Sequence, residues 1–382
     1  MVINENNRRK IIPIASGKGG VGKSVIASNL AIMLANHGKR TVAIDLDLGG
    51  SNLHTYLGIK NTHAGIGNFL SDKKISFDDI ITATPYRNLR FIPGDVLVSG
   101  TANLQHGQKR AIGSAISKLE ADYVILDLGS GTNYSVIDFF LVSNSGVVVT
   151  TPETPAILNA YGFLKNIVFR YLQRGLTKHK KAASYIESIV KDKTPNSTPP
   201  ISKVVDEIGK MSRTAGQEAR TLVDTLKPLL LINQAQSPED LEIGDRLRQL
   251  IKRNLDVTVE SIGLIYEDRY IDRAVRHGVP VAVAEENSLA AREIERVALK
   301  IIQSERFPIM PLETDMYPDS FALTQIEAEG DFVELEQVDE PAAAPQAQAE
   351  DVQEFLQVIG EQQKKIQELQ GTIRMLTMKQ SR

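Results

Sequence analysis

The run Gly17-Lys18-Gly19-Gly20-Val21-Gly22-Lys23-Ser24 limits the fold of this chain more than any other stretch. It follows a short apolar run, Ile11 to Ala15, and opens into an amphipathic stretch that reaches about His37. Strand, glycine loop and helix is the natural parse. The spacing matches G-x-x-x-x-G-K-[ST] throughout, the pattern of a phosphate-binding loop. Glycines let successive backbone N–H groups curl around phosphate oxygens, and the start of the following helix favours negative charge. Lys23 neutralises phosphate oxygens, and Ser24 offers a ligand to Mg²⁺. On this reading Gly17 through Ser24 cradle ATP, with Mg²⁺ as its companion ion.

A rival pattern overlaps it. Gly17, Gly19 and Gly22 also satisfy G-x-G-x-x-G, and Asp45 sits near the spacing of a ribose-binding acid. That dinucleotide reading gives Lys18, Lys23 and Ser24 nothing to do and leaves Asp127 without a role. The triphosphate reading uses all of them.

Apolar runs recur at Thr41–Ile44, Leu89–Ile92, Tyr123–Leu126, Val147–Thr150, Leu229–Ile232 and Ile262–Tyr266. Helix-like segments at Gln108–Leu119, Ala156–Gln173, Leu241–Asn254 and Ala290–Ser304 alternate with them. Such alternation predicts an α/β fold, a mainly parallel central sheet with helices on both faces. Ligands bind at the strand ends of such sheets, and polar residues gather there. Asp127 follows the run YVIL and is placed to hold Mg²⁺, with Asp45 supporting the metal. Asp47 is placed to orient an attacking water, and the Gly131 N–H to sense a γ-phosphate. One strand-end acid alone would more simply cap a turn. Asp45, Asp47 and Asp127 converging on one edge beside a phosphate loop point to phosphoryl transfer.

The expected domain covers residues 1–306 and carries a polar, lysine-rich insert at 176–226, where TPNSTPP marks a loop between two helices. Residues 307–349 are acidic and end in PAAAPQAQA, too poor in apolar side chains to build a core. From Val352 a heptad begins: Val352, Ile359, Ile366 and Ile373 take one core position, and Phe355, Gln362, Leu369 and Leu376 the other. β-Branched residues followed by leucine favour a two-stranded coil over 350–382, with a coiled-coil partner meeting residues 352–376. A membrane-surface helix is the alternative, since Lys364, Lys365, Arg374, Lys379 and Arg382 supply positive charge. A marginal lone helix, weakened by Gly360 and Gly371, is the third.

Charge is uneven. Residues 307–382 hold 15 acids and 5 bases, leaving 39 bases and 32 acids in the preceding body. A basic body suggests an anionic partner. Lys165, Arg170, Arg174, Lys178, Lys180 and Lys181 form a run without an acid, readable as a solvated helix face or as a surface for non-specific DNA binding. The sequence has no cysteine, which excludes disulfides, a cysteine nucleophile and thiolate-held clusters. No apolar run reaches the ~18–20 residues that span a bilayer. MVINENNRRK has no apolar core of a signal peptide, so a cytoplasmic protein is expected, peripheral at a membrane or nucleoid if it binds one.

These motifs together resemble the MinD/ParA family of deviant Walker-A ATPases, within the SIMIBI class of P-loop proteins. The family's K-G-G-V-G-K-[ST] signature stands here as Lys18 to Ser24. The resemblance implies that Lys18 reaches across an ATP-bound homodimer to the partner's phosphates. AIDLDLGGSNL (43–53) is similar to the first switch, placing Asp47 as the water-activating carboxylate, and DLGSG (127–131) to the second. TTPE (150–153) is similar to the strand-end P-E element. LLLINQ (229–234) resembles the base-binding strand, which makes Asn233 the adenine contact. GLIYEDRYIDRAVRHGVPV (263–281) resembles the segment that packs beside the base. The likeness covers about 10–175 and 227–305. Tyr266 stands where the family has proline, Leu128 and Ser130 depart from the second switch of MinD-like members, and the insert is longer than in compact relatives. The N-terminus lacks the activator motif of the FlhG-like flagellar-number regulators. Metal-cluster carriers of the class need cysteine.

The expected function is therefore an ATPase switch that dimerises with ATP, hydrolyses it slowly under an unidentified protein activator, and positions a division site, flagellum or chromosome. Lys18 and Lys23 would stabilise transition-state charge. The alternatives are a nucleotide-dependent scaffold with negligible hydrolysis and a DNA-binding partition ATPase. A metabolic ligase or amidotransferase of the class finds no cysteine nucleophile or substrate domain here.

Overall fold

The computed structural model describes residues 9–60, 64–94, 104–192 and 198–304. The expected acidic linker and coil lie outside the described residues.

Each apolar run becomes a strand: β1 Lys10–Ser16, β2 Thr41–Leu46, β4 Leu89–Ile92, β5 Tyr123–Ser130, β6 Val147–Thr150, β7 Leu229–Ala235 and β8 Glu260–Tyr266. The two-residue β3, Thr82–Ala83, escaped the sequence pattern and pairs antiparallel with β4. The sheet order is β3-β4-β2-β5-β1-β6-β7-β8, and every pairing except β3 with β4 is parallel. Strands buried on both faces must be apolar throughout, and these are: Val42, Ala43, Ile44, Val124, Ile125 and Leu126 are all inaccessible. One register matters for function. β2 and β5 place Asp45 directly opposite Asp127.

Helix α1, Lys23–Asn36, fills one face of the sheet. It was expected to be amphipathic, but Ile26 to Ala35 are all buried. The strands lie on one side of it and α13, Leu289–Gln303, on the other, so no face is left for polar residues. Asn29, buried in mid-helix, accepts the Ala282 N–H of α12, Val281–Ala284, at 2.9 Å. The short helices α2, Leu53–Tyr56, and α3, Ile66–Ser71, follow β2.

The opposite face is covered by α4, His106–Ile116, α5, Tyr134–Phe140, α6, Thr154–Gly175, and α10, Asp240–Leu255. The insert contains three helices rather than the expected two: α7 Lys180–Lys191, α8 Ile201–Met211 and α9 Arg213–Thr225. Extended backbone at Ser212 breaks the second predicted helix, and the Ser212 hydroxyl caps α9 by accepting the Ala215 N–H at 3.3 Å. A single serine between two helical patterns is a weak signal. Val204, Ile208, Ala219 and Val223 join the main core, so the insert is an outgrowth of the domain and not a separate unit. α11, Arg269–His277, follows β8. Among the described residues, no helix is long and apolar enough to cross a membrane.

Candidate phosphate-binding site

The loop between β1 and α1 sits at the sheet edge where β1, β2, β5 and β7 end. Gly22 has φ +88, and a Cβ there would meet the Asn233 amide nitrogen at 2.3 Å. Gly17 packs against the backbone of α6, where a Cβ would lie 2.1 Å from the Asn159 carbonyl oxygen. Both positions therefore require glycine. Gly19 lies against Ser130, and Gly20 and Gly22 line a cleft of about 290 Å³ with Lys23 and Ser24. Val21 is buried, and its carbonyl accepts the Asn233 Nδ2–H at 2.9 Å. This bond orients the amide, and the buried Asn233 Oδ1 has no hydrogen-bond partner. Asn233 thus braces the loop through its amide nitrogen.

The acid end is unusual in its burial. Asp45 is inaccessible and Asp127 is 1% exposed. Asp45 spends its oxygens on its own loop: Oδ1 accepts the Asp47 N–H at 3.0 Å, and Oδ2 accepts the Ser51 hydroxyl at 2.6 Å and the Leu53 N–H at 3.0 Å. Asp127 accepts a hydrogen bond from Ser24, yet its Oδ1 is buried with no partner. Burial, then the neighbouring Asp45 charge, pushes the Asp127 carboxyl well above the ordinary carboxylate range. Burial also raises Asp45, partly offset by the bonds from Ser51, Leu53 and Asp47. Lys23, almost buried, favours the ionised form of Asp127. The unpartnered Asp127 oxygen and the Ser24 hydroxyl beside it are hard oxygens, a donor set that fits Mg²⁺. Among the described residues, no group of three or more acids or histidines forms a metal cage.

The outer rim is arranged differently. The Gly131 N–H, expected to meet a γ-phosphate, donates instead to the Ser16 carbonyl at 3.1 Å, with Gly131 at φ +88. The Ser16 hydroxyl donates to the Lys18 carbonyl at 2.6 Å. Lys18 itself reaches no phosphate site and pairs with Glu153 at 2.8 Å. Asp47 is half-buried against Gly129, where a Cβ would lie 3.2 Å from Oδ1. The two switches therefore touch at Asp47 and Gly129. Tyr266, in the family's proline position, is 1% exposed and packs with Ile232, Leu241 and Leu264, flooring the cleft from the core. From the segment beside it, Glu267, Asp268, Ile271 and Asp272 line the cleft.

Sequence reasoning missed Ser51, Tyr56 and the pairing of Glu153. Ser51 lies inside the first-switch motif and could have been found there. Tyr56, which also lines the cleft, had no signal. The basic run is broken up by the fold. Arg170 is neutralised by Asp138 at 2.8 Å, which also takes Lys109 at 2.6 Å, and Lys165 is half-buried, with burial lowering its pKa. Arg174, Lys178, Lys180 and Lys181 stay exposed.

Residues 7–165 match the family of NUBPL iron-transfer P-loop NTPases, ParA. The chain is 36% identical over 163 residues to the flagellum site-determining protein YlxH of Helicobacter pylori, a match covering 41% of this chain and 53% of that protein. The chain thus spans about half the length of that relative. It is 24% identical over 300 residues to the antiactivator FleN of Pseudomonas aeruginosa, covering 76% of this chain and 86% of that protein. The fold is shared with the septum site-determining protein MinD of Pyrococcus horikoshii, a structure complexed with Mg-ADP, at TM-score 0.51, 19% identity and coverage of 77% and 96%. Iron transfer through thiolates does not carry over to a sequence without cysteine. Residues 7–165 are thus matched as a P-loop NTPase domain of the ParA/MinD type, and the fold around them is that of MinD.

Proposed function

We propose that this chain is an ATP-hydrolysing switch that dimerises with ATP and positions a cellular structure: a flagellum, a division site or a chromosome. The observation that carries the nucleotide reading is the unpartnered, buried Oδ1 of Asp127 beside Ser24, at the mouth of a glycine loop holding a nearly buried lysine. Those residues fit a nucleoside triphosphate with a hard divalent cation. Positioning is supported by the named roles of YlxH and MinD, a flagellum site and a septum site.

Ser24 and Asp127 would hold Mg²⁺, with Asp45 behind them fixing the first switch through Ser51 and Leu53. Mg²⁺, when bound, neutralises charge on the β- and γ-phosphates. Lys23 and the N–H groups from Gly19 to Ser24 bind phosphate oxygens and stabilise charge developing on them. Asp47 orients the water that attacks in line; the new bond forms at the γ-phosphorus as its bond to the bridging oxygen breaks and ADP leaves with the electron pair. Gly131 must exchange its bond to Ser16 for one to phosphate, and Lys18 must leave Glu153 to reach a partner's nucleotide. The resting chain is therefore a slow enzyme awaiting a dimer and an activator.

Calorimetry of ATP with and without Mg²⁺ tests the binding. Saturable, Mg²⁺-dependent heat that disappears in Lys23→Ala is expected, and its absence from the wild type overturns the reading. Phosphate release with and without DNA or liposomes then separates a hydrolysing switch from a scaffold. With Arg170 tied to Asp138, the exposed basic patch is smaller than the sequence suggested, which weighs against the DNA-bound partition alternative.

A further inference from the structure

We propose that Tyr56 is the stacking wall of the nucleobase pocket, a specificity residue on the short helix that follows the first switch. This inference rests on the nucleotide reading above. The cleft lined by Gly20, Gly22, Lys23 and Ser24 is lined as well by Tyr56 of α2 and by Ile271 and Val275 of α11, beside Asp268 and Asp272. Phosphate-loop groups and apolar side chains in one cleft match a ligand with a charged tail and a flat aromatic head.

Tyr56 is firmly placed. Helix α2 begins at Leu53, which is fully buried and whose N–H is bound by Asp45 at 3.0 Å. The Tyr56 N–H continues the turn toward the Asn52 carbonyl. Tyr56 also lines, with Val25, Asn29 and Ala274, a neighbouring void of only about 10 Å³, which gives the ring little room to withdraw. Asn233 lines the same cleft, and its buried, unpartnered oxygen is oriented by the bond from its amide nitrogen to Val21. A lone acceptor there suits the exocyclic amine of adenine and opposes the carbonyl of guanine. An aromatic face then supplies affinity that the hydrogen bond alone cannot. Because Asp45 anchors α2 and lies opposite Asp127 in the sheet, the base wall and the metal end share one carboxylate.

The test uses the full-length chain and two probes, ADP and inorganic tripolyphosphate, each with Mg²⁺ in a calorimeter. Tyr56→Leu, which keeps apolar bulk without an aromatic face, is expected to lose about tenfold in ADP affinity. Tyr56→Phe should bind ADP like the wild type, and tripolyphosphate should bind all three chains alike. The emission of etheno-ADP gives an independent reading: a stacking signal in wild type and Tyr56→Phe, and its loss in Tyr56→Leu. Undiminished ADP affinity in Tyr56→Leu overturns the proposal. So does a parallel loss for tripolyphosphate, which would make the ring a structural prop of the loop. A wild type that binds neither probe defeats the nucleotide reading itself, whereas one that binds tripolyphosphate but not ADP defeats only the base pocket.

Discussion

The two lysines of the glycine loop belong to regions built on opposite principles. Lys23 is 8% exposed and stands among Asp45 and Asp127, which are shut off from water. The Lys18 side chain is 41% exposed and its partner Glu153 64%. The inner region packs two carboxyl groups into a buried site, where ionising both costs free energy that a cation would relieve. The outer region is held by contacts that are weak and exchangeable: an exposed ion pair and one backbone bond from Gly131. Binding should therefore need little rearrangement, and turnover should need a great deal.

The sharpest way to break this contrast is to truncate each lysine in turn. Lys18→Ala should lower phosphate release by about 10³-fold, the scale of a charge supplied in trans at a phosphoryl transition state, while ATP affinity changes by less than about threefold. Lys23→Ala should act on binding first, weakening ATP by on the order of 100-fold in calorimetry, because it strips a desolvated charge from the phosphate site. If both variants lose affinity equally, the inner and outer regions are one unit and the comparison fails.

Removing the buried charge at Asp127 should show in stability. Its carboxyl is pushed up to about 8, far above the value for an unfolded chain, so the folded state holds its proton where the unfolded state has released it. A raised acid pKa gives stability that is complete below the unfolded value and is lost as pH rises through the folded one. The ligand-free chain should accordingly melt at lower temperature as pH climbs from about 4 to about 8, and level off above that. Asp127→Asn keeps the shape without the charge and should flatten that slope, gaining on the order of 2 kcal/mol at the alkaline end. The same variant should lose Mg²⁺-dependent binding. A wild-type melting curve indifferent to pH in this window would show that the inner region is not strained.

What could be read beforehand follows the same division. The phosphate loop and the strand-end acids were legible because each needs a residue type at a fixed spacing: glycine where φ is positive, and aspartate where β2 and β5 come into register. The parallel sheet was legible because strands buried on both faces read as unbroken apolar runs. Local pattern did not show what a side chain does once the chain has closed on itself. Nothing near Arg170 in sequence announces Asp138, and nothing near Lys18 announces Glu153 as its partner. Periodicity promised an amphipathic α1, but α13 buries its outer face, and that contact spans most of the domain. Tyr56 had no motif at all; only the placement of α2 by Asp45 brings it to the cleft.

The smallest expected effect probes the latch alone. Glu153→Gln removes the charge that holds Lys18 but preserves size and backbone. An ion pair this exposed is worth less than about 1 kcal/mol, so melting temperature should move by no more than about a degree or two. Lys18 would then no longer need to leave an acid before crossing to a second chain. ATP-dependent self-association in sedimentation, or basal phosphate release, should rise by a few-fold, up to about fivefold, the factor that 1 kcal/mol allows. The gain should shrink in high salt, where the wild-type pair is already screened. A decrease in association instead would mean that Glu153 contributes to the assembled state, not that it restrains Lys18 in the resting chain.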